Sequence, residues 1–160
     1  MSHHDTHTVF VGNLADRLTE TELRAFLEER CGEVRSVKWR TPVEGKCRCA
    51  TVAFYRTESA AAAIRCHWTP LHGRPLNIDY TKAILPLPDH SGSYRIHVIV
   101  LDSDVGSLRL HDEFNRVGRI SAIEWKNDEA TISYYEPLPP VDQVMRLVEP
   151  LAMNALWKIV

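Results

Sequence analysis

The chain has 160 residues, 44% apolar and 25% charged, a balance that excludes disordered and fibrous proteins. Its longest apolar runs, such as Ala60 to Ile64 and Val98 to Leu101, fall far short of the roughly 20 residues of a membrane helix. The net charge of −2 divides into 12 Lys/Arg against 10 Asp/Glu up to residue 83, and 7 against 11 from residue 84. Neither half has the basic excess of an electrostatically driven nucleic-acid binder. The opening Met1-Ser2-His3-His4-Asp5 lacks a basic region followed by an apolar stretch, so no secretory leader is expected. Cys31, Cys47, Cys49 and Cys66 all fall in the first half and are expected to be reduced thiols of an intracellular protein.

Residues 1–7 read as a flexible tail. From Thr8 to Leu14 the alternation of β-forming residues predicts a strand. Thr19-Glu-Thr-Glu22 has the spacing of a capping box, in which hydroxyl and carboxylate each accept the other residue's amide. Leu18 and Leu23 flank it as a hydrophobic staple. Leu23, Phe26 and Leu27 share one helical face, and Gly32 is a natural stop. Strands are predicted at Val34 to Arg40 and Cys47 to Phe54, then an alanine-rich helix from Glu58 to His67. A last strand runs from Leu76 to Tyr80 after a turn at Gly73. The order βαββαβ packs naturally as a four-stranded antiparallel sheet with two helices on one face.

The second half repeats the first. Gly32-Glu-Val-Arg-Ser-Val-Lys-Trp39-Arg40 is echoed by Gly118-Arg-Ile-Ser-Ala-Ile-Glu-Trp125-Lys126, 86 residues on. Ala50-Thr-Val-Ala-Phe-Tyr55 is echoed by Ala130-Thr-Ile-Ser-Tyr-Tyr135, and Trp68-Thr-Pro70-Leu71 by Val148-Glu-Pro150-Leu151, each 80 residues on. The difference of six predicts a shorter connection between the second and third strands of the second copy. The fold class is therefore α+β, with two ferredoxin-like βαββαβ domains at 8–83 and 94–160. Residues 84–93, within the run from Thr81 to Ser93, read as the linker. The competing reading, an ordered segment packed through Ile84, Leu85 and Leu87, stays open.

Val9-Phe10-Val11-Gly12-Asn13-Leu14 resembles the six-residue motif on the first strand of RNA-recognition-motif (RRM) domains. Cys47-Arg48-Cys49-Ala50-Thr51-Val52-Ala53-Phe54 occupies the place of the family's eight-residue motif on the third strand. Ala60, Ala63 and Ile64, then Leu71-His-Gly73-Arg74-Pro-Leu76-Asn-Ile78, extend the similarity over nearly all of the first 83 residues. Alternation turns Val9, Val11, Ala50, Val52 and Phe54 toward the helices, and Phe10, Cys49, Thr51 and Ala53 onto the open sheet. The resemblance implies that bases stack at Phe10, Cys49 and Thr51, of which one ring is retained. Each missing stack forfeits roughly 1–3 kcal/mol. Asn13 completes the motif, and Lys38, Arg40, Lys46 and Arg48 gather at one edge where phosphates can be neutralised. Tyr80 and Lys82 stand where RNA would leave the sheet.

The second copy keeps core positions and loses the stacking ones. Its first strand, Tyr94 to Leu101, carries His97 at the aromatic position, and its third puts Glu129 and Thr131 where bases would stack. Leu110, Phe114 and Val117 serve its first helix, and Val141, Val144, Leu147 and Val148 its second. One ordinary domain followed by a degenerate one is similar to the two-RRM SR-type splicing factors. Their signature on the first helix of the second domain matches Gly106-Ser107-Leu108-Arg109-Leu110-His111-Asp112 too loosely for that binding mode to carry over. RRM variants that bind tryptophan-containing peptides offer another comparison, through Glu20, Glu22, Glu28 and Glu29 and the loop Arg74-Pro75-Leu76. In the second copy that loop carries Asn154-Ala155-Leu156 instead.

Zinc at Cys47, Cys49, Cys31 and Cys66 is set aside, because alternation puts the first two on the sheet face opposite the helices. Trp39 and Trp125 share faces with Val37 and Ile123 and read as core residues, as do Trp68 and Trp157. No catalytic constellation is visible, so no enzyme activity, cofactor, metal, membrane or small-molecule substrate is expected. The expected partners are single-stranded RNA at the first domain and proteins of a ribonucleoprotein complex at the second. The setting is pre-mRNA splicing or mRNA metabolism, nuclear or also cytoplasmic. The alternative is a scaffold subunit of such an assembly with little direct RNA contact.

Overall fold

The computed structural model describes residues 6–40, 47–82, 85–91, 94–102, 104–135, 142–143, 146 and 157–159. The chain forms two compact units, Met1–Leu85 and Pro86–Val160. No helix among the described residues is long and apolar enough to cross a membrane.

The first unit begins with β1 (Thr8–Leu14), whose Val9 and Val11 are fully buried. At Gly12-Asn13 the pairing with β3 slips, and Asn13 adopts a left-handed φ of 59°. This bulge shifts the alternation by one, so Leu14 also turns inward. The α1 helix (Glu20–Arg30) opens on the predicted capping box: Thr19 Oγ1 accepts the Glu22 amide at 3.2 Å, and Glu22 Oε1 the Thr19 amide at 3.1 Å. Donation from the Thr19 backbone, then from His72, holds the Glu22 carboxyl below its ordinary range. Leu23, Phe26 and Leu27 are buried, as their shared face requires.

After α1 come β2 (Val34–Trp39), β3 (Arg48–Phe54) and α2 (Thr57–Ile64). The second helix ends three residues before the expected His67, because His67 turns inward. That ring is 3% exposed, and its Nδ1 accepts the Ile78 amide at 3.0 Å. The chain then makes a two-stranded ribbon, β4 (Pro70–Leu71) with β5 (Arg74–Pro75). His72 (φ 52°) and Gly73 (φ 75°) are both left-handed there, as a two-residue type I′ turn demands. Leu76 exchanges backbone hydrogen bonds with Trp68 and Thr69, so the last strand, β6, is only Asn77–Asp79. The sheet order is β2-β3-β1-β6. One face carries Val9, Val11, Ala50, Val52, Phe54 and Ile78 against Leu23, Phe26 and Leu27 of α1 and Ala60, Ala63 and Ile64 of α2. Val37 and Trp39 pack on the same core, as expected.

The helix ends meet closely. A Cβ at Gly32 would collide with Ser59 Oγ, and Cys31 Sγ lies 4.0 Å from Cys66 Sγ. The hydrogen bond between the thiols raises Cys31 and lowers Cys66 to about 7. Alkylation of Cys66 by iodoacetamide is therefore expected to rise at a lower pH than that of an ordinary thiol. In Cys31→Ala the midpoint moves upward, as peptide mapping of the alkylated protein will show.

In the second unit β7 (Tyr94–Val100), α3 (Ser107–Phe114), β8 (Ile120–Lys126), β9 (Glu129–Tyr134) and β10 (Trp157–Ile159) follow in turn. The sheet order β10-β7-β9-β8 is that of the first unit read from the other edge. The shortened connection is the two-residue turn Asn127-Asp128, with Asn127 left-handed at φ 55°. Leu110, Phe114 and Tyr134 are fully buried, and the Tyr134 hydroxyl donates to the Phe114 carbonyl at 2.8 Å. Trp125 donates its indole N–H to Ser107 Oγ at 2.7 Å, a structural role like the one expected for it. Most of the segment expected to hold the second helix, with Val141, Val144, Leu147 and Val148, lies outside the described residues, as does the loop 154–156. Asp89, near the start of the second unit, donates its amide to the Ser121 carbonyl at 2.8 Å and accepts the Tyr135 hydroxyl at 2.6 Å. His90 meets Glu124 at 2.8 Å.

Candidate nucleic-acid interface

Strand register maps the open face of the first sheet. Lys38 on β2 stands opposite Thr51 on β3, Thr51 opposite Phe10 on β1, and Phe10 opposite Asp79 on β6. Beside this row, Arg40 extends β2 by donating its amide to the Cys49 carbonyl at 3.0 Å, and Gly12 pairs with Asn77. Val9, Ala50 and Ile78, the sequence neighbours of these residues, are fully buried on the other face. Phe10 is half-buried, as are Cys49 and Thr51, whose small side chains leave the ring without an aromatic neighbour in the row. Lys38 and Arg40 are exposed on the β2 side. The Arg40 guanidinium carbon lies over the Phe10 ring, 4.8 Å from its centroid, and Arg40 Nε donates to Thr51 Oγ1 at 3.3 Å.

Three expected site residues have other duties. Arg48 Nη1 donates to the carbonyls of Ala15, Asp16 and Leu18 at 3.1, 2.9 and 2.9 Å. Its guanidinium carbon sits 4.1 Å from the Trp39 centroid. The bulge in β1 shifts the pairing so that Arg48 faces Leu14, and its guanidinium anchors the loop after β1. Asn13 likewise is a fastener, with Nδ2 donating to the Pro75 carbonyl at 2.7 Å and Oδ1 accepting from Arg74 Nη2 at 2.6 Å. Tyr80 packs on the hydrophobic core, because it alternates with Asp79 and so follows Ile78 inward. Lys82 is exposed beyond β6, and Lys46 lies outside the described residues. Arg74 also donates to Cys47 Sγ at 2.6 Å. The arginine needed for the peptide-binding comparison is thus tied into the β1–β5 junction.

Asp79 was missed by sequence reasoning, although the alternation that turns Ile78 inward also turns Asp79 onto the open face. It is 7% exposed, and its Oδ1 accepts the Tyr80 amide at 2.8 Å. The face therefore grades from cations at β2 through one ring at β1 to a carboxylate at β6.

The corresponding face of the second unit is closed on itself. The row Lys38, Thr51, Phe10 becomes Glu124, Thr131, His97. His97 Nδ1 reaches Thr131 Oγ1 and Glu129 Oε1, both at 3.2 Å, so the three stacking positions engage one another. Glu124 reverses the charge of Lys38 and is held by His90.

Residues 9–77 match the sequence model of the RNA recognition motif. Polyadenylate-binding protein-interacting protein 11 of Arabidopsis thaliana is 28% identical over 90 residues, 56% of this chain and 25% of that protein. Polyadenylate-binding protein-interacting protein 12 of the same plant is 31% identical over 75 residues, 47% of this chain and 22% of that protein. The chain therefore matches about a quarter of each relative's length. Among solved structures, the first two RRM domains of yeast poly(U) binding protein cover 96% of this chain and 98% of their own, with 14% identity and a TM-score of 0.43. The Rna15 RRM with bound RNA (GU) covers 48% and 84%, with 22% identity and a TM-score of 0.41. Residues 9–77 of the first unit are thus similar to the RNA recognition motif, over less than half of the chain.

Proposed function

We propose that the chain binds single-stranded RNA through the open face of the first sheet, and that the second unit, a degenerate RRM, contributes protein contacts. The observation that carries the reading is the row Lys38, Thr51, Phe10, in which an accessible ring stands beside the cationic β2 edge. A ring stacks any base, and a neighbouring cation holds the phosphates. The names of the relatives, which interact with a polyadenylate-binding protein, support a role in mRNA metabolism with protein partners. Splicing, and a nuclear or cytoplasmic ribonucleoprotein, belong to the same proposal. The closed His97-Thr131-Glu129 face favours protein contact over RNA contact for the second unit.

Titration of the whole chain with a random-sequence RNA octamer, followed by amide NMR, tests the reading. Shifts are expected at Phe10, Lys38 and Thr51, and Phe10→Ala is expected to weaken binding on the order of tenfold. Absence of binding at low salt, or shifts confined to the helices, would show that the sheet is no RNA platform.

A further inference from the structure

We infer that Arg40 is a stacking plane of this platform, standing in for an aromatic lost at position 49 or 51, and not a phosphate contact. The inference rests on the RNA-binding reading above. Arg40 sits at the end of β2, where its backbone bond to Cys49 turns the side chain onto the open face. Cys49 and Thr51 carry small side chains and Gly12 none, so the surface between β2 and Phe10 is low. The Arg40 side chain lies across that space, with Nε on Thr51 Oγ1 and the guanidinium over Phe10.

A guanidinium suits this position in a way an ammonium does not. It is planar, weakly hydrated and stacks on π-faces, whereas lysine presents a compact, strongly hydrated charge. Bases stack on arginine planes as they do on rings. The internal repeat supplies a control: the counterpart of Arg40 is Lys126, which pairs with Glu129 on the face where His97 replaces the ring. The face with a ring has the planar cation, and the face without one has the point charge. An incoming base enters between Phe10 and the guanidinium, so that each of its faces meets one of them. The Thr51 hydroxyl sets the angle from which the guanidinium closes.

The experiment compares Arg40→Lys, which keeps the charge and loses the plane, with Arg40→Tyr, which keeps a plane and loses the charge. Affinity of the whole chain for uridine and adenosine octamers is measured across a series of salt concentrations. Stacking predicts roughly tenfold weaker binding for Arg40→Lys, binding within about threefold of wild type for Arg40→Tyr, and a nearly unchanged salt dependence in both. A phosphate contact predicts the reverse, with Arg40→Lys near wild type and Arg40→Tyr losing about 0.7 of the logarithmic salt slope; that outcome overturns the inference. Phe10→Ala, run alongside, separates the two levels. If it binds as wild type does, the sheet reading itself fails, and this inference with it. Arg40 is exposed, so unchanged unfolding temperatures are expected for both variants and will confirm that they are folded.

Discussion

Arg48→Lys is expected to destabilise the first unit by about 2 kcal/mol and to leave the salt dependence of RNA binding unchanged. The Arg48 guanidinium satisfies the carbonyls of Ala15, Asp16 and Leu18 and covers Trp39. A lysine side chain ends one bond short of the Nη1 position, and its ammonium stacks poorly on Trp39. Each hydrogen bond from a charged donor contributes about 1.5–3 kcal/mol when buried, and this site is partly exposed, so the sum is discounted. Calorimetry of the whole chain is expected to show the first unit unfolding on the order of 10 °C lower. The NMR signals of residues 15–18, which lead into the α1 cap, are expected to broaden first. A stable Arg48→Lys variant with a shallower salt slope would instead return Arg48 to the phosphates.

The second large effect is with acid. Burial lowers the His67 pKa to about 3, well below the ordinary 6.5. The folded state therefore resists a proton that the unfolded chain takes up below pH 6.5. The sign follows: stability is complete above that pH and is lost progressively as pH falls toward 3. Between pH 7 and pH 5 the loss is about 2 kcal/mol. His67→Asn keeps an acceptor near Ile78 and removes the titrating ring. Urea unfolding monitored at Val11 and Val52 is expected to be less steep in pH for this variant by that amount. Measuring the difference between variant and wild type cancels the other histidines. Equal pH dependence in the two proteins would mean that His67 is protonated in the fold.

What could be read from the residues alone was whatever depends on near neighbours. The α1 cap rests on four consecutive residues, Thr19 to Glu22, and its two hydrogen bonds formed as the spacing requires. The β1 and β3 faces followed from alternation, and the shorter connection between β8 and β9 from counting. What the residues alone do not show is long-range. Arg48 reaches carbonyls 30 or more residues away, and no local pattern distinguishes that from a reach toward solvent. Asn13 looked like part of a binding motif because its fastening partners, Arg74 and Pro75, lie more than 60 residues on. His67 shortened α2 through a bond to Ile78 that helix propensity cannot register. Asp79 differs from these: alternation was sufficient to place it on the open face.

The unequal strands of the first sheet have a consequence for colloidal behaviour. A sheet edge is a template on which a foreign strand can pair, and long, flat, apolar edges aggregate. Here one edge, β6, is three residues long, too short to template a stable addition. The other, β2, is six residues long, but it carries Arg35 and Lys38, and Arg40 follows directly. Each edge is blunted by a different device, one by length and the other by charge. Copies held at high local concentration are thereby protected from joining edge to edge through this sheet.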